Sequence, residues 1–213
     1  MVYYRKYRPQ TIEELDSIEI RDKLYSVLKS SSVQHAFLFT GPKGLGKTST
    51  ARIIAKAVNC EKLKVENGKL KIKNKKNSQL STLNSQLQSV EPCNKCYQCT
   101  SITNGSNIDV LEIDAASNRG IDEIRDLREK VRLAPAASEN KVYIIDEVHM
   151  LTTEAFNALL KTLEEPPMHV IFILCTTEPH KVPATIVSRC FHVVFKKATI
   201  DELVRSFKRI AGI

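Results

Sequence analysis

Gly41-Pro42-Lys43-Gly44-Leu45-Gly46-Lys47-Thr48 fits the spacing G-x-x-x-x-G-K-[ST] without a mismatch, and Ser49 follows it. Glycines so placed let a loop wrap closely, so that backbone N–H groups and the positive end of the next helix face phosphate oxygens. Lys47 is suited to reach the β- and γ-phosphates of ATP, and the Thr48 hydroxyl to ligate Mg²⁺. A second pair, Asp146-Glu147, ends the apolar stretch Lys141–Ile145. Asp146 is suited to hold Mg²⁺ directly or through water, and Glu147 to polarise an attacking water as general base. The chemistry these residues imply together is nucleotide binding and hydrolysis.

A separate group of residues points to a metal. Cys93, Cys96 and Cys99 lie at C-x2-C-x2-C spacing, and Cys60 lies upstream at the end of the helix that follows the phosphate loop. Four thiolates suit a closed, tetrahedral, structural Zn²⁺ site. The long gap from Cys60 to Cys93 adds only a slowly growing closure entropy. An iron–sulfur centre is the alternative, weakened because Thr103 stands where the next cysteine of a ferredoxin-type run would fall. Cys175 and Cys190 read as buried thiols, and His35 and His149 as packing or capping residues.

These groups need elements to position them. Ala36–Thr40 (AFLFT), Asp109–Ile113, Lys141–Ile145 (KVYII), Val170–Cys175 (VIFILC) and Phe191–Phe195 read as strands. They alternate with helical patterns over 47–59, from Ile121 to Val131, over Thr152–Leu163 and over Ile200–Ile210. Such alternation implies a three-layer α/β domain with a mostly parallel sheet. Residues 61–91 hold few core-forming side chains and read as a solvated insertion.

The chain has 213 residues, 32 Lys+Arg against 24 Asp+Glu, and a net charge of +8. Residues 62–76 alone hold seven lysines and one glutamate, six of that net charge, so the overall sign is weak support for nucleic-acid binding. No apolar run is long enough to span a bilayer, and the start MVYYRKYRPQ shows no secretion signal. A cytoplasmic protein is expected.

Several stretches resemble the ATPase domain of the bacterial DNA polymerase III gamma/tau family, the AAA+ motors of sliding-clamp loaders. They are YRKYRPQT (4–11), GPKGLGKTSTARIIAKAVNC (41–60), IDVLEIDAASN (108–118), KVYIIDEVHMLTTEAFNALLKTLEEPP (141–167) and SRC (188–190). The chain departs from the family near Asp16-Ser17, where a Gly-Gln pair is usual. The resemblance implies that Thr177 senses the γ-phosphate and that Arg189 is an arginine finger acting on a neighbouring subunit's nucleotide. It also implies that Tyr7, Arg8 and Pro9 line the adenine pocket, and that Asn118, Arg119 and Lys161 approach primer–template DNA. A four-cysteine zinc module belongs to the same pattern.

The expected organisation is an AAA+ P-loop ATPase domain over 1–198. A zinc module over 60–99 carries the Lys-rich insertion 61–92, and residues 199–213 are the first helix of a truncated helical lid. The expected partners are delta- and delta-prime-like subunits, further gamma/tau copies, the sliding clamp and primer–template DNA. ATP-hydrolysing motor is the first reading, within a DNA polymerase III holoenzyme whose polymerising subunit is another chain. A non-hydrolysing stator of the same assembly and a stand-alone zinc-dependent DNA-binding module are its rivals.

Overall fold

The computed structural model describes residues 7–30, 33–66, 90–118 and 120–212. Its centre is a sheet of β1 (Ala36–Thr40), β2 (Val110–Asp114), β3 (Lys141–Asp146), β4 (Val170–Thr176) and β5 (Phe191–Val194), in the order β2-β3-β4-β1-β5. Every neighbouring pair in that sheet is parallel. Parallel strands need crossovers, and the crossovers cover the sheet with helices on both faces. That is why every residue of β1 and of β4 is buried, and why their sequences lack the alternation of a half-exposed strand.

The two faces divide by strand parity. Phe37, Phe39, Ile144 and Ile173 pack against α1 (Ile18–Leu28) and α2 (Lys47–Asn59) through Leu24, Val27, Ile53 and Ile54. Leu38, Tyr143, Ile145, Phe172 and Leu174 pack the other way, against α5 (Ile121–Val131) and α6 (Thr153–Glu164). Ile124, Leu127, Phe156 and Leu159 supply that third layer. The expected three-layer α/β fold with a parallel sheet is the fold observed.

Helix α1 was not anticipated, although Ile20, Leu24, Val27 and Leu28 fall on one helical face and are buried. The insertion needs correcting at both ends. Glu61–Glu66 forms a short helix, α3, whose Leu63 is buried against Cys60 and Cys99. At the other end Val90 packs on the core and Glu91 accepts hydrogen bonds from the backbone of Ile12 and Glu13. Most of the Lys-rich run lies outside the described residues. A further helix, α4 (Tyr97–Asn104), carries Cys99, and α7 (Ala184–Val187) precedes β5.

The strand expected over Asp109–Ile113 begins one residue later, because Asp109 is used as a cap. Its buried carboxylate accepts from the backbone N–H groups of Ala136 (2.8 Å), Ala137 (2.8 Å) and Ser138 (2.7 Å), closing the loop between α5 and β3. The last helix, α8 (Ile200–Ala211), opens with a full capping box between Thr199 and Glu202. Its Arg205 donates to the carbonyl of Asp16 and its Arg209 to that of Tyr7. Among the described residues no helix is long and apolar enough to cross a membrane.

Burial alone would raise the Asp109 pKa, but the three backbone donors outweigh it and hold the carboxyl below its ordinary value. Asp109→Ala strands those donors and is expected to cost about 3 kcal/mol in urea unfolding at neutral pH. A folded-state pKa lower than the unfolded one gives stability that is present above about pH 4 and lost as pH falls through the folded value. The gap between wild type and Asp109→Ala should therefore narrow below pH 4. A gap that stays constant with pH would remove the carboxylate from this role.

Candidate functional site

The loop after β1 owes its course to glycine. A side chain at Gly41 (φ +142°) would put Cβ 2.2 Å from the carbonyl oxygen of Phe195, so only glycine lets the chain leave the strand here. Gly46 caps α2 in the left-handed region, φ 90°, where a side chain is strained. Leu45 packs down onto the core between them, whereas Pro42, Lys43 and Gly44 are exposed at the tip. Lys47 is buried, and its ammonium donates to the carbonyl oxygens of Gly41 (2.7 Å) and Pro42 (2.9 Å). The charge thus sits inside the curl of the loop.

Parallel pairing brings the acidic pair alongside. Gly41 donates its N–H to the carbonyl of Thr176 at the end of β4, and β3 ends on the other side of β4. The Thr48 hydroxyl, beside Lys47 at the start of α2, donates to Asp146 Oδ2 at 2.8 Å. These are the two residues expected to share Mg²⁺, and the fold brings them into direct contact. Glu147 adopts φ 48°, an uncommon backbone for a non-glycine residue. Its Oε2 accepts from the Thr177 hydroxyl (2.9 Å) and the Thr177 backbone N–H (3.3 Å).

One neighbour was missed. His149, read from sequence as packing or capping, is buried at this edge with Nδ1 3.0 Å from Thr176 Oγ1 and 3.4 Å from Glu147 Oε2. Its Nε2 lies 3.4 Å from Glu178 Oε1. The signal was its place two residues after the acidic pair, on the short 3₁₀ turn Val148–Met150 that leaves β3.

Arg189 is not part of this group. Its guanidinium donates to Glu164 (2.6 Å) and to the carbonyl of Thr185 (2.7 Å), and its side chain is 35% exposed. Arg8 and Pro9 face Ser49, Arg52 and Ile53 of α2 across a narrow cleft, while the Tyr7 carbonyl accepts from Arg209 of α8. Asn118 donates its side-chain N–H to the carbonyl of Asp114, and Lys161 is exposed on α6. Arg119 lies outside the described residues.

The four cysteines converge as their spacing implied. The Sγ atoms of Cys60, Cys93, Cys96 and Cys99 all lie within 4.8 Å of one another. A tetrahedron of Zn–S bonds near 2.3 Å has sulfur–sulfur edges of roughly 3.8 Å, and Cys93 and Cys99 are 4.0 Å apart. Cys93 Sγ accepts from the backbone N–H groups of Cys96 (3.3 Å) and Lys95 (3.5 Å), and Cys60 Sγ from that of Cys93 (3.4 Å). Burial opposes ionisation of Cys93, yet these donors draw its pKa down to about 7. Four sulfurs gathered about one point, with amide donors aimed at them, fit a single tetrahedral ion. Cys175 and Cys190 stand apart from them, the first fully buried, and burial raises both thiol pKa values.

A family model described as DNA polymerase III, delta subunit, matches residues 18–90 and 67–199. Over 208 residues, 97% of this chain, the sequence is 52% identical to DNA polymerase III subunit tau of Bacillus subtilis. It is 41% identical over 98% of the chain to the subunit tau of Escherichia coli, and 42% identical over 99% to the subunit gamma/tau of Mycoplasma genitalium. The chain spans about a third of the length of these relatives, covering 33%, 29% and 31% of them.

Among solved structures, a DNA polymerase III gamma subunit-related protein of Thermotoga maritima aligns with a TM-score of 0.54 at 22% identity, over 90% of this chain and 56% of that one. The RuvB Holliday junction branch migration motor of Thermotoga maritima aligns with a TM-score of 0.57 at 18% identity, over 97% and 54%. The likeness is one of fold, a parallel sheet with helices on both faces.

A bound ion stabilises the folded chain by mass action, by about 4 kcal/mol when free ion is a thousandfold above Kd. Zn²⁺ is expected to bind at one ion per chain by elemental measurement and to raise Tm by roughly 10 °C. Cys96→Ser should lose both effects. A chain purified metal-free, with a Tm indifferent to Zn²⁺, would contradict the site.

Proposed function

The chain belongs to the family described as DNA polymerase III, delta subunit, and is similar over nearly its whole length to tau and gamma/tau subunits; we propose that it is the ATP-hydrolysing motor part of a clamp-loader subunit. The observation that carries this reading is the junction of Lys47, Thr48, Asp146 and Glu147 on one sheet edge, with Thr48 bonded to Asp146. In this reading residues 1–198 are the ATPase domain, residues 60–99 carry the inserted zinc module, and residues 199–213 are the first helix of a lid.

Each residue then has a task. The backbone of Gly41–Ser49 wraps the phosphates, and Lys47 turns its ammonium from the loop carbonyls onto the β- and γ-phosphate oxygens. Thr48 and Asp146 would hold Mg²⁺, which when bound would supply charge neutralisation for the phosphates. Tyr7, Arg8 and Pro9 receive the base against α2. Glu147 accepts the proton of the attacking water, and Thr177, which donates to Glu147 in this structure, reports whether a γ-phosphate is present. Zn²⁺ on Cys60, Cys93, Cys96 and Cys99 is structural, since four protein thiolates leave no open position.

Arg189 acts in trans. Its exposed guanidinium, braced by Glu164 and the Thr185 carbonyl, supports presentation to a neighbouring subunit's nucleotide. A finger supplied by a neighbour makes hydrolysis depend on assembly. The subunits would close on the sliding clamp and primed DNA when ATP binds and let both go when it is hydrolysed. Asn118, Arg119 and Lys161 would face the DNA backbone, and the partners would be delta- and delta-prime-like chains and further gamma/tau copies in the bacterial cytoplasm.

Lys47→Ala is expected to abolish ATP binding by fluorescence titration. Glu147→Gln should bind ATP normally and lose on the order of 10²- to 10⁴-fold in turnover. In the complex reassembled with the other subunits, clamp and primed DNA, Arg189→Ala should keep ATP binding and lose DNA-stimulated turnover. Full turnover in that complex would remove the finger assignment. A wild-type complex that binds ATP without hydrolysing it would make the chain a stator.

A further inference from the structure

Helix α2 carries both special sites, one at each end. Lys47 and Thr48 open it at the phosphate loop, and Cys60 closes it, roughly 20 Å away. One turn before Cys60 sits Lys56, 1% exposed, a cation that neither site uses. Its ammonium has three acceptors: the Gln10 carbonyl (2.8 Å), Gln10 Oε1 (2.7 Å) and Asn94 Oδ1 (2.7 Å). Gln10 lies in the irregular strap from Tyr7 to Asp16, and Asn94 lies inside the Cys93–Cys96 turn with φ 54°. A buried ammonium therefore ties the strap to the loop that presents the thiolates.

Two more ties run the same way. Glu91, two residues before Cys93, accepts from the backbone N–H groups of Ile12 (2.9 Å) and Glu13 (3.0 Å) and from the Tyr25 hydroxyl. Thr103 donates to the carbonyl of Cys99 (2.9 Å) and lies 3.2 Å from Gln10 Oε1. Lys56, Glu91, Asn94 and Thr103, each close in sequence to a cysteine of the cluster, thus hold a strap that has no helix or strand of its own. The strap in turn brings Arg8 and Pro9 against the α2 cleft.

We propose that the four-cysteine centre is a clamp on the strap Tyr7–Asp16, with Lys56, Glu91 and Asn94 as its positioning residues, so that metal occupancy sets the order of the strap. Metal binding fixes the spacing of Glu91 and Asn94, because a ligand loop without its ion lacks the bonds that define its course. The effect reaches the nucleotide only through the strap, and that arm rests on the reading of Tyr7, Arg8 and Pro9 as base-facing. The two sites are then linked reciprocally, each ligand favouring the other by the same factor.

Amide hydrogen exchange on the whole chain, loaded with one Zn²⁺, tests the clamp. Chelation is expected to speed exchange at Gln10, Ile12 and Glu13 roughly tenfold or more, with β4 amides unchanged. Asn94→Gly keeps the positive φ accessible while deleting the acceptor. It should retain its ion and still show the faster strap exchange, which separates the clamp from general loss of fold. Strap exchange that is unaltered by chelation, or that rises only together with β4, overturns the proposal. Titration with a non-hydrolysable ATP analogue is the second readout, and affinity should fall roughly tenfold in both samples. Faster strap exchange with unchanged analogue affinity would leave the clamp standing and remove Tyr7, Arg8 and Pro9 from the nucleotide.

Discussion

Burial of both faces of a parallel sheet is the constraint on which the rest of this structure depends. Once β1, β3 and β4 are paired in parallel and apolar on each side, helices must cover both faces. Their carboxyl ends must then emerge along one edge, where Gly41 leaves β1, Asp146 ends β3 and Thr177 follows β4. Thr48 of the phosphate loop and Asp146 are 98 residues apart in sequence, and Glu147 and Thr177 a further 30. They meet because one hydrogen-bonding pattern is repeated across neighbouring strands. Thr48 bonded to Asp146 is the local result of that global pairing.

What could be read in advance follows from how local each signal is. The apolar runs of β1, β3 and β4 and the helix 47–59 are short-range patterns, and the structure has them within a residue or two. The phosphate loop is legible for the same reason, since glycine and lysine at fixed offsets carry its geometry. Helix α1 was hidden because charged residues dilute its four buried positions. Asp109 was misplaced because its partners lie 27 to 29 residues away, where composition gives no hint. His149 was undervalued for a related reason, since its contacts with Thr176 and Glu178 exist only after β3 and β4 are joined.

The same distinction applies to charge. The lysine run that dominates the net +8 lies largely outside the described residues, whereas the cations that organise the fold are few and buried. Lys47 and Lys56 both end on carbonyl or carboxamide oxygens rather than on carboxylates. A cation held by neutral dipoles keeps its hydrogen bonds without cancelling its charge. Burial lowers the Lys56 pKa to about 8, so it remains a cation at neutral pH without an ion-pair partner. The guanidinium groups of Arg52 and Arg189, by contrast, are matched by Glu112 and Glu164 nearer the surface.

The left-handed backbone at Glu147 has an evolutionary consequence. At φ 48° a glycine or asparagine would sit with less strain, by about 1 kcal/mol. Selection for stability alone would drive that position towards either residue. A glutamate there, with its carboxylate accepting from Thr177 and 3.4 Å from His149, is what the proposed general base would require at the expense of backbone strain. Stabilising substitutions sought blindly in this chain would tend to collect at residue 147, and each would trade thermal robustness against the carboxylate that accepts from Thr177 and lies beside His149.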